Sequence, residues 1–182
     1  MHEELVQAMT NQYTLEVASA NLYLQMSAWL TSKGWLGAAH WTMIQYQEEM
    51  AHAQGFYDYL ANRNAYIKLQ AIPAPEKASW DQPLEVFQDI LAHEEMITKS
   101  IQNLSDLAQK HQDRAATLFL DWYVLEQVEE EGNANANVDQ YTIAGTNPAA
   151  LRMVDQDLAS RTYTPPVIPH SGAPAPQGQQ GA

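Results

Sequence analysis

Nine prolines limit what this chain can fold into, chiefly by where they are absent. None falls within positions 1–72 and none within 84–147, while five of the nine sit in 162–182. Proline breaks a helix interior, so the two free windows, rich in Ala, Leu, Met, Gln and Glu, can each hold a pair of long helices. A first helix is predicted over about 4–32, ended by Ser32-Lys33-Gly34, and a second over about 36–63. Pro73 and Pro75 mark an irregular stretch, and Pro83 suits the first turn of a third helix reaching about 111. Asp113 can cap a fourth helix running to about 142, and Asn147-Pro148 opens a short fifth over about 148–160. The run GNANAN at 132–137 is weakly helical and predicts a frayed or kinked end to the fourth helix. The tail, TYTPPVIPHSGAPAPQGQQGA at 162–182, has the composition of a segment that stays unordered, which leaves one domain over 1–161.

The connections carry the topology. Only a few residues join the first helix to the second and the third to the fourth, so each pair is an antiparallel hairpin. Roughly 20 residues lie between second and third, too many for a tight turn but enough to run the length of a helix. The expected fold is all-α, a four-helix bundle with one long crossover and a short C-terminal fifth helix.

Composition removes several classes of function. With 22 acidic against 9 basic side chains the formal charge is -13, a surface that repels nucleic-acid phosphate and anionic lipid and attracts cations. The absence of cysteine excludes disulfides, thiolate-bound zinc, iron–sulfur clusters and thiol catalysis, and fits a reducing, cytoplasmic setting. The opening MHEELVQAMT is polar and acidic, unlike a signal peptide, and no apolar run is long enough to span a membrane.

The informative anomaly lies in the apolar stripes. In the third helix, heptad stepping gives Phe87, Ile90, Glu94, Ile97, Ile101, Leu104 and Ala108, interrupted once, by Glu94. The first helix places Glu16 among Met9, Ala20, Tyr23 and Leu30. The second sets Glu49 and His52 at i, i+3 above Phe56, and the fourth sets Gln127 and Glu130 at the same spacing beyond Tyr123. Heights agree too. Glu16 lies 18 residues before Gly34, with Glu49 and His52 15 and 18 after it; Glu94 lies 18 before Gln112, with Gln127 and Glu130 15 and 18 after. Every group therefore sits about 22–27 Å from its turn, and all can meet at mid-bundle.

A lone Glu-x-x-His is common on solvated helices, and Glu95 and Glu131 show ordinary acidic faces on this chain. Four carboxylates converging in a core are another matter. Without counter-charge each costs several kcal/mol, against a domain stability of about 5–15 kcal/mol, and few basic residues lie near in sequence. Glu16, Glu49, Glu94 and Glu130 carry the charge that two divalent ions would balance. Carboxylate and imidazole without thiolate suit iron or manganese, with zinc a competitor. A shared carboxylate can hold two such ions about 3.5–4 Å apart, close enough for O₂ to take one electron from each.

These residues, with NLYLQMSAW at 21–29, QEEMAHAQGFYDYL at 47–60 and DWYVLEQVEEE at 121–131, resemble the bacterial non-haem ferritins over about 1–161. The resemblance implies a homo-oligomeric cage of about 24 subunits, each with a ferroxidase centre that oxidises Fe²⁺ with O₂ or peroxide, the ferric product being stored as mineral. It implies that Glu16, Glu49 and His52 hold one iron, and that Glu94 and Glu130 hold the other. Glu49 would bridge them, Gln127 would lie beside them, and Tyr23 would be the adjacent electron donor. Glu48, Glu126 and Glu129 match a third, inner iron site that shares Glu130. The haem-binding bacterioferritins carry Glu-x-x-His on both hairpins, where this chain has Gln127-x-x-Glu130. Met50 falls where they place their haem ligand, but non-haem members carry Met there as well, so haem is not implied. A passive shell and a di-metal oxidase acting on an organic substrate are the other classes this fold would serve.

Overall fold

The computed structural model describes residues 1–172. Among them are five helices and no strand: α1 (Glu3–Ser32), α2 (Leu36–Asn62), α3 (Pro83–Lys110), α4 (Arg114–Ala144) and α5 (Pro148–Leu158). Pairing follows the connections, α1 against α2 and α3 against α4, with α5 lying across α2 and α4.

The first three helices end in the same way. At α1 the N–H of Gly34 (φ 82°) reaches Thr31 O and that of Trp35 reaches Leu30 O, at 3.1 and 3.0 Å. Asn64 and Ala65 repeat this at α2, and Gln112 (φ 53°) and Asp113 at α3. A left-handed residue satisfies the last carbonyls and reverses the chain. The turns used to measure height from the sequence are thus equivalent structures, which is why the two hairpins carry their polar groups at one level.

Asp113 does two jobs at the second turn. Its carboxylate accepts from Ala116 N at 3.1 Å, capping α4, and takes a two-pronged contact from Arg63 at 3.1 and 2.8 Å. The latter ties the end of α2 to the start of α4. Removing cap and fork together in Asp113→Ala should cost about 1–3 kcal/mol, read as a lower melting temperature. A melt indistinguishable from wild type would show that the pair is solvated decoration.

The core is layered along the bundle. One apolar cluster gathers Tyr23, Met26, Leu30, Trp41, Phe87, Ile90 and Tyr141. The other gathers Leu5, Met9, Phe56, Ile97, Ile101, Phe119 and Tyr123. Each of the four long helices contributes to both clusters and changes from apolar to polar between them, through Glu16, Glu49, Glu94 and Glu130, all buried. The crossover is held down by Trp80, whose ring meets Trp29 edge-on and whose Nε1 donates to Asp89 at 2.6 Å.

Two expectations change. Helix α4 runs unbroken through 132–137 to Ala144. Ala134 and Asn137 are buried there, so packing outweighs the weak local propensity. The segment beginning at Thr162 was expected to stay unordered, yet 162–172 lies against the bundle. Ile168 packs on the cluster around Phe56, Ser171 is buried, and Asn62 Nδ2 donates to Ser171 O at 3.0 Å. This stretch builds no core of its own. It borrows a groove kept open by Gly55, where a Cβ would stand 2.6 Å from Ile168 Cδ1. Positions 173–182 lie outside the described residues.

Candidate metal centre

Between the two clusters the four helices turn their polar groups inward. Glu16, Glu49 and His52 each offer a ligand atom, all within 4.8 Å of one another, and His52, Glu126 and Glu130 form a second such group. His52 Nδ1 stands 3.6 Å from Glu49 Oε2, and its Nε2 stands 3.8 Å from Glu126 Oε1. These separations attract charge but are too long for hydrogen bonds. Accordingly Glu16 Oε2, Glu49 Oε2 and His52 Nε2 are buried without a hydrogen-bond partner. Buried polar atoms are nearly always paired, and these three belong to the one cluster of ligand-bearing residues Glu16, Glu49 and His52.

The remaining oxygens are held in place. Gln12 donates to Glu16 Oε1 at 2.9 Å and is itself fixed by Ser100, whose hydroxyl donates to Gln12 Oε1 at 2.5 Å. Tyr23 donates its hydroxyl to Glu94 Oε1, while Gln127 Nε2 donates to Glu94 Oε2 at 3.1 Å. Gln45 donates to Glu130 Oε2 at 2.8 Å. Tyr123 donates to the backbone carbonyl of His52 at 2.8 Å, fixing the turn of α2 that carries the imidazole. Gln127 therefore acts on Glu94 and aims no free nitrogen at the ligand groups.

Electrostatics record the crowding. Burial, opposed by His52 and reinforced by Glu94 and Glu130, lifts the Glu49 carboxyl to about 7. Burial and Glu94 lift Glu130 to about 8. Glu16 rises well above the ordinary range, first through burial and then through Glu49. Burial works against the charged form of His52, but Glu126 and Glu49 outweigh it and hold the imidazole pKa high. The Tyr23 hydroxyl is raised by burial and by Glu94. Glu49 is the carboxylate whose charge is felt by, or which feels, each of Glu16, Glu94 and Glu130. That places it at the centre of the group.

Lone pairs from several carboxylates and one imidazole, converging in a dry layer with unpaired atoms, suit hard or borderline divalent cations. The raised carboxyl pKa values let protons offset the crowding, and a divalent cation bound among these groups would displace them.

A model of the ferritin-like domain matches residues 6–143. The chain belongs to the ferritin family. A bacterial non-heme ferritin of Bacteroides fragilis is 38% identical over 159 residues, covering 87% of this chain and 98% of its own length. One from Staphylococcus haemolyticus is 33% identical over 163 residues, covering 90% and 98%. Among solved structures, the open-pore ferritin of the archaeon Archaeoglobus fulgidus superposes with a TM-score of 0.88 at 37% identity, over 89% of this chain and 99% of that one. The architecture is the ferritin-like four-helix bundle, and no helix among the described residues is long and apolar enough to cross a membrane.

In this ferritin-family chain the other predicted residues fall around the centre unevenly. Glu126 is half-buried beside His52, Glu129 is exposed, and Glu48 is drawn into an ion pair with Arg161 at 2.6 Å. Met50 is exposed on α2. Three residues that position the carboxylates escape the sequence reading: Gln12, Gln45 and Arg161. Gln12 could have been found, because Gln at i−4 of a buried Glu on one helix face is a local pattern. Gln45 and Arg161 act on residues far along the chain, and no periodicity announces them.

Proposed function

We propose that this protein is a ferroxidase and iron store: it binds Fe²⁺ at a dinuclear centre, oxidises it with O₂ and deposits ferric mineral inside a cage of about 24 copies. The observation that carries the reading is a layer of four buried carboxylates and one imidazole in which Glu16 Oε2, Glu49 Oε2 and His52 Nε2 have no hydrogen-bond partner. One iron fits Glu16, Glu49 and His52, and a second fits Glu94 and Glu130, with Glu49 between them. Two Fe²⁺ each lose one electron, and O₂ gains both with two protons, which balances as two Fe³⁺ and one hydrogen peroxide. Residues of the chain bring the irons together, exclude bulk water and supply oxygen ligands that favour the ferric state. Tyr23 stands beside the centre as the candidate electron donor, with an acceptor for its phenolic proton already in place on Glu94. Glu48, Glu126 and Glu129 form the inner acidic group through which a third iron would pass.

Family membership supports a cage whose copies co-operate in storage, and a protein working on cytoplasmic Fe²⁺. The test is anaerobic titration of the assembled protein with Fe²⁺, followed by admission of oxygen. Two equivalents per chain should bind before weaker ones, and O₂ should then be consumed quickly at one per two irons. Binding with no oxygen uptake beyond that of iron in buffer would make the chain a passive shell.

A further inference from the structure

Just past the end of α5, the chain places one cation beside the centre, on the side of Glu48. Arg161 Nη2 donates to Glu48 Oε2 at 2.6 Å, and Nη1 donates to the side-chain oxygen of Gln45. Its guanidinium carbon lies 4.7 Å from the ring centroid of Trp41, and its backbone carbonyl accepts from His40 Nε2 at 2.8 Å. The residue is anchored at backbone, at its planar face and at both ends of its fork. Gln45 is fully buried. With its oxygen committed to Arg161, its amide nitrogen must point the other way, and it does so onto Glu130 Oε2 at 2.8 Å. Glu48, Arg161, Gln45 and Glu130 thus form one continuous chain from the inner acidic group to the buried centre.

We propose that Arg161 is a positioning residue for iron: it occupies, against Glu48, the place a third iron would claim, and through Gln45 it holds the Glu130 carboxylate toward the dinuclear centre. The inference rests on the ferroxidase reading above. A fork of two donors is needed, because one prong neutralises Glu48 while the other sets the amide of Gln45; a lysine carries the charge but cannot hold both. A third metal at Glu48, Glu126 and Glu129 has to break a charge-assisted bond, so its site stays weaker than the two of the dinuclear centre and fills after them. Position 161 thereby sets the order of filling.

The test uses redox-silent Zn²⁺, titrated calorimetrically into the assembled full-length protein without iron. Wild type should show two tight equivalents and a weak third. In Arg161→Gln the third should tighten by about tenfold or more, as expected for release of a hydrogen bond to a charged group, while the first two weaken severalfold as Glu130 loses its orientation. Arg161→Lys keeps a cation near Glu48, so it should leave the third weak yet still loosen the first two. That variant keeps the idea testable should Arg161→Gln fail to assemble. First and second equivalents unchanged in both variants, with the third unchanged in Arg161→Gln, would reduce Arg161 to a surface clamp and overturn the proposal. Failure of wild type to bind two equivalents would instead overturn the dinuclear reading beneath it.

Discussion

Glu49→Ala should slow the fast phase of Fe²⁺ oxidation by about tenfold or more while the assembled protein remains as stable without metal as wild type. The two halves of this expectation come from one fact. Glu49 is buried among Glu16, Glu94 and Glu130, and one of its oxygens has no hydrogen-bond partner. As a structural residue it is a burden, since an ionised carboxyl in that setting is destabilising, and its pKa of about 7 shows the site already neutralising it in part. Truncation removes that burden and leaves a small polar gap, so the metal-free melt should hardly move. In the proposed centre it would be the ligand common to both ions, because it adjoins the carboxylates assigned to each. Such a bridge would hold two irons at a spacing from which O₂ could draw both electrons, and without it each iron would react alone. Metal-dependent stabilisation should fall as well. Wild type at 100 times the dissociation constant gains about 2.7 kcal/mol per independent site, and the variant should lose most of this. Stopped-flow absorbance and melting with and without Zn²⁺ provide the check. An unchanged fast phase would remove Glu49 from the centre, whereas a variant that fails to assemble without metal would show the carboxyl to be structural.

Why the buried polar layer could be read from sequence, while its supports could not, follows from the range of the interactions. Glu16 and Glu94 are visible because each interrupts a heptad of apolar residues on its own helix, and a core stripe tolerates such a break only with a partner for the charge. Glu49-x-x-His52 and Gln127-x-x-Glu130 gain meaning only through the matching distance to a turn, and the turns at Gly34 and Gln112 prove to be built alike. Helix ends were legible for the same local reasons, proline at the start and a left-handed residue past the end. Packing against distant chain was not. Nothing in GNANAN shows that Ala134 and Asn137 face a core that keeps the helix straight, and nothing in the proline-rich tail shows that Gly55 leaves a notch for Ile168. Arg161 is the plainest case. It stands beyond the last long helix, in no recognisable pattern, yet reaches Gln45 and Glu48 more than a hundred positions earlier.

Gly37→Ala should release α5 from the bundle. A Cβ at position 37 would stand 1.6 Å from the carbonyl oxygen of Asp155 and 2.6 Å from its carbonyl carbon. Both are backbone atoms, so no side-chain rotation relieves the clash and the helix as a whole must lift. The same crossing carries a polar contact: Asp155 Oδ1 accepts from Ala38 N at 3.0 Å, satisfying an N–H in the first turn of α2, which has no side-chain cap of its own. Lifting α5 leaves that donor without Asp155, carries the Asp155 carboxylate into solvent and withdraws Leu158 from the apolar cluster around Trp41. Overpacking alone costs about 1–3 kcal/mol, and losing a hydrogen bond to a charged group adds about 1.5–3 kcal/mol. Helix α5 has 11 residues, too few to persist once undocked, so it should unfold rather than swing aside. Since it delivers Arg161 to Glu48 and Gln45, the inner acidic group should lose its cation at the same time. Hydrogen exchange read by mass spectrometry should show protection lost over 148–172 while α1 to α4 keep theirs, with a lower melting temperature and altered assembly. Wild-type protection across α5 in Gly37→Ala would mean that the crossing can open at little cost, and that the close approach of the two helices is not what holds the C-terminal segment in place.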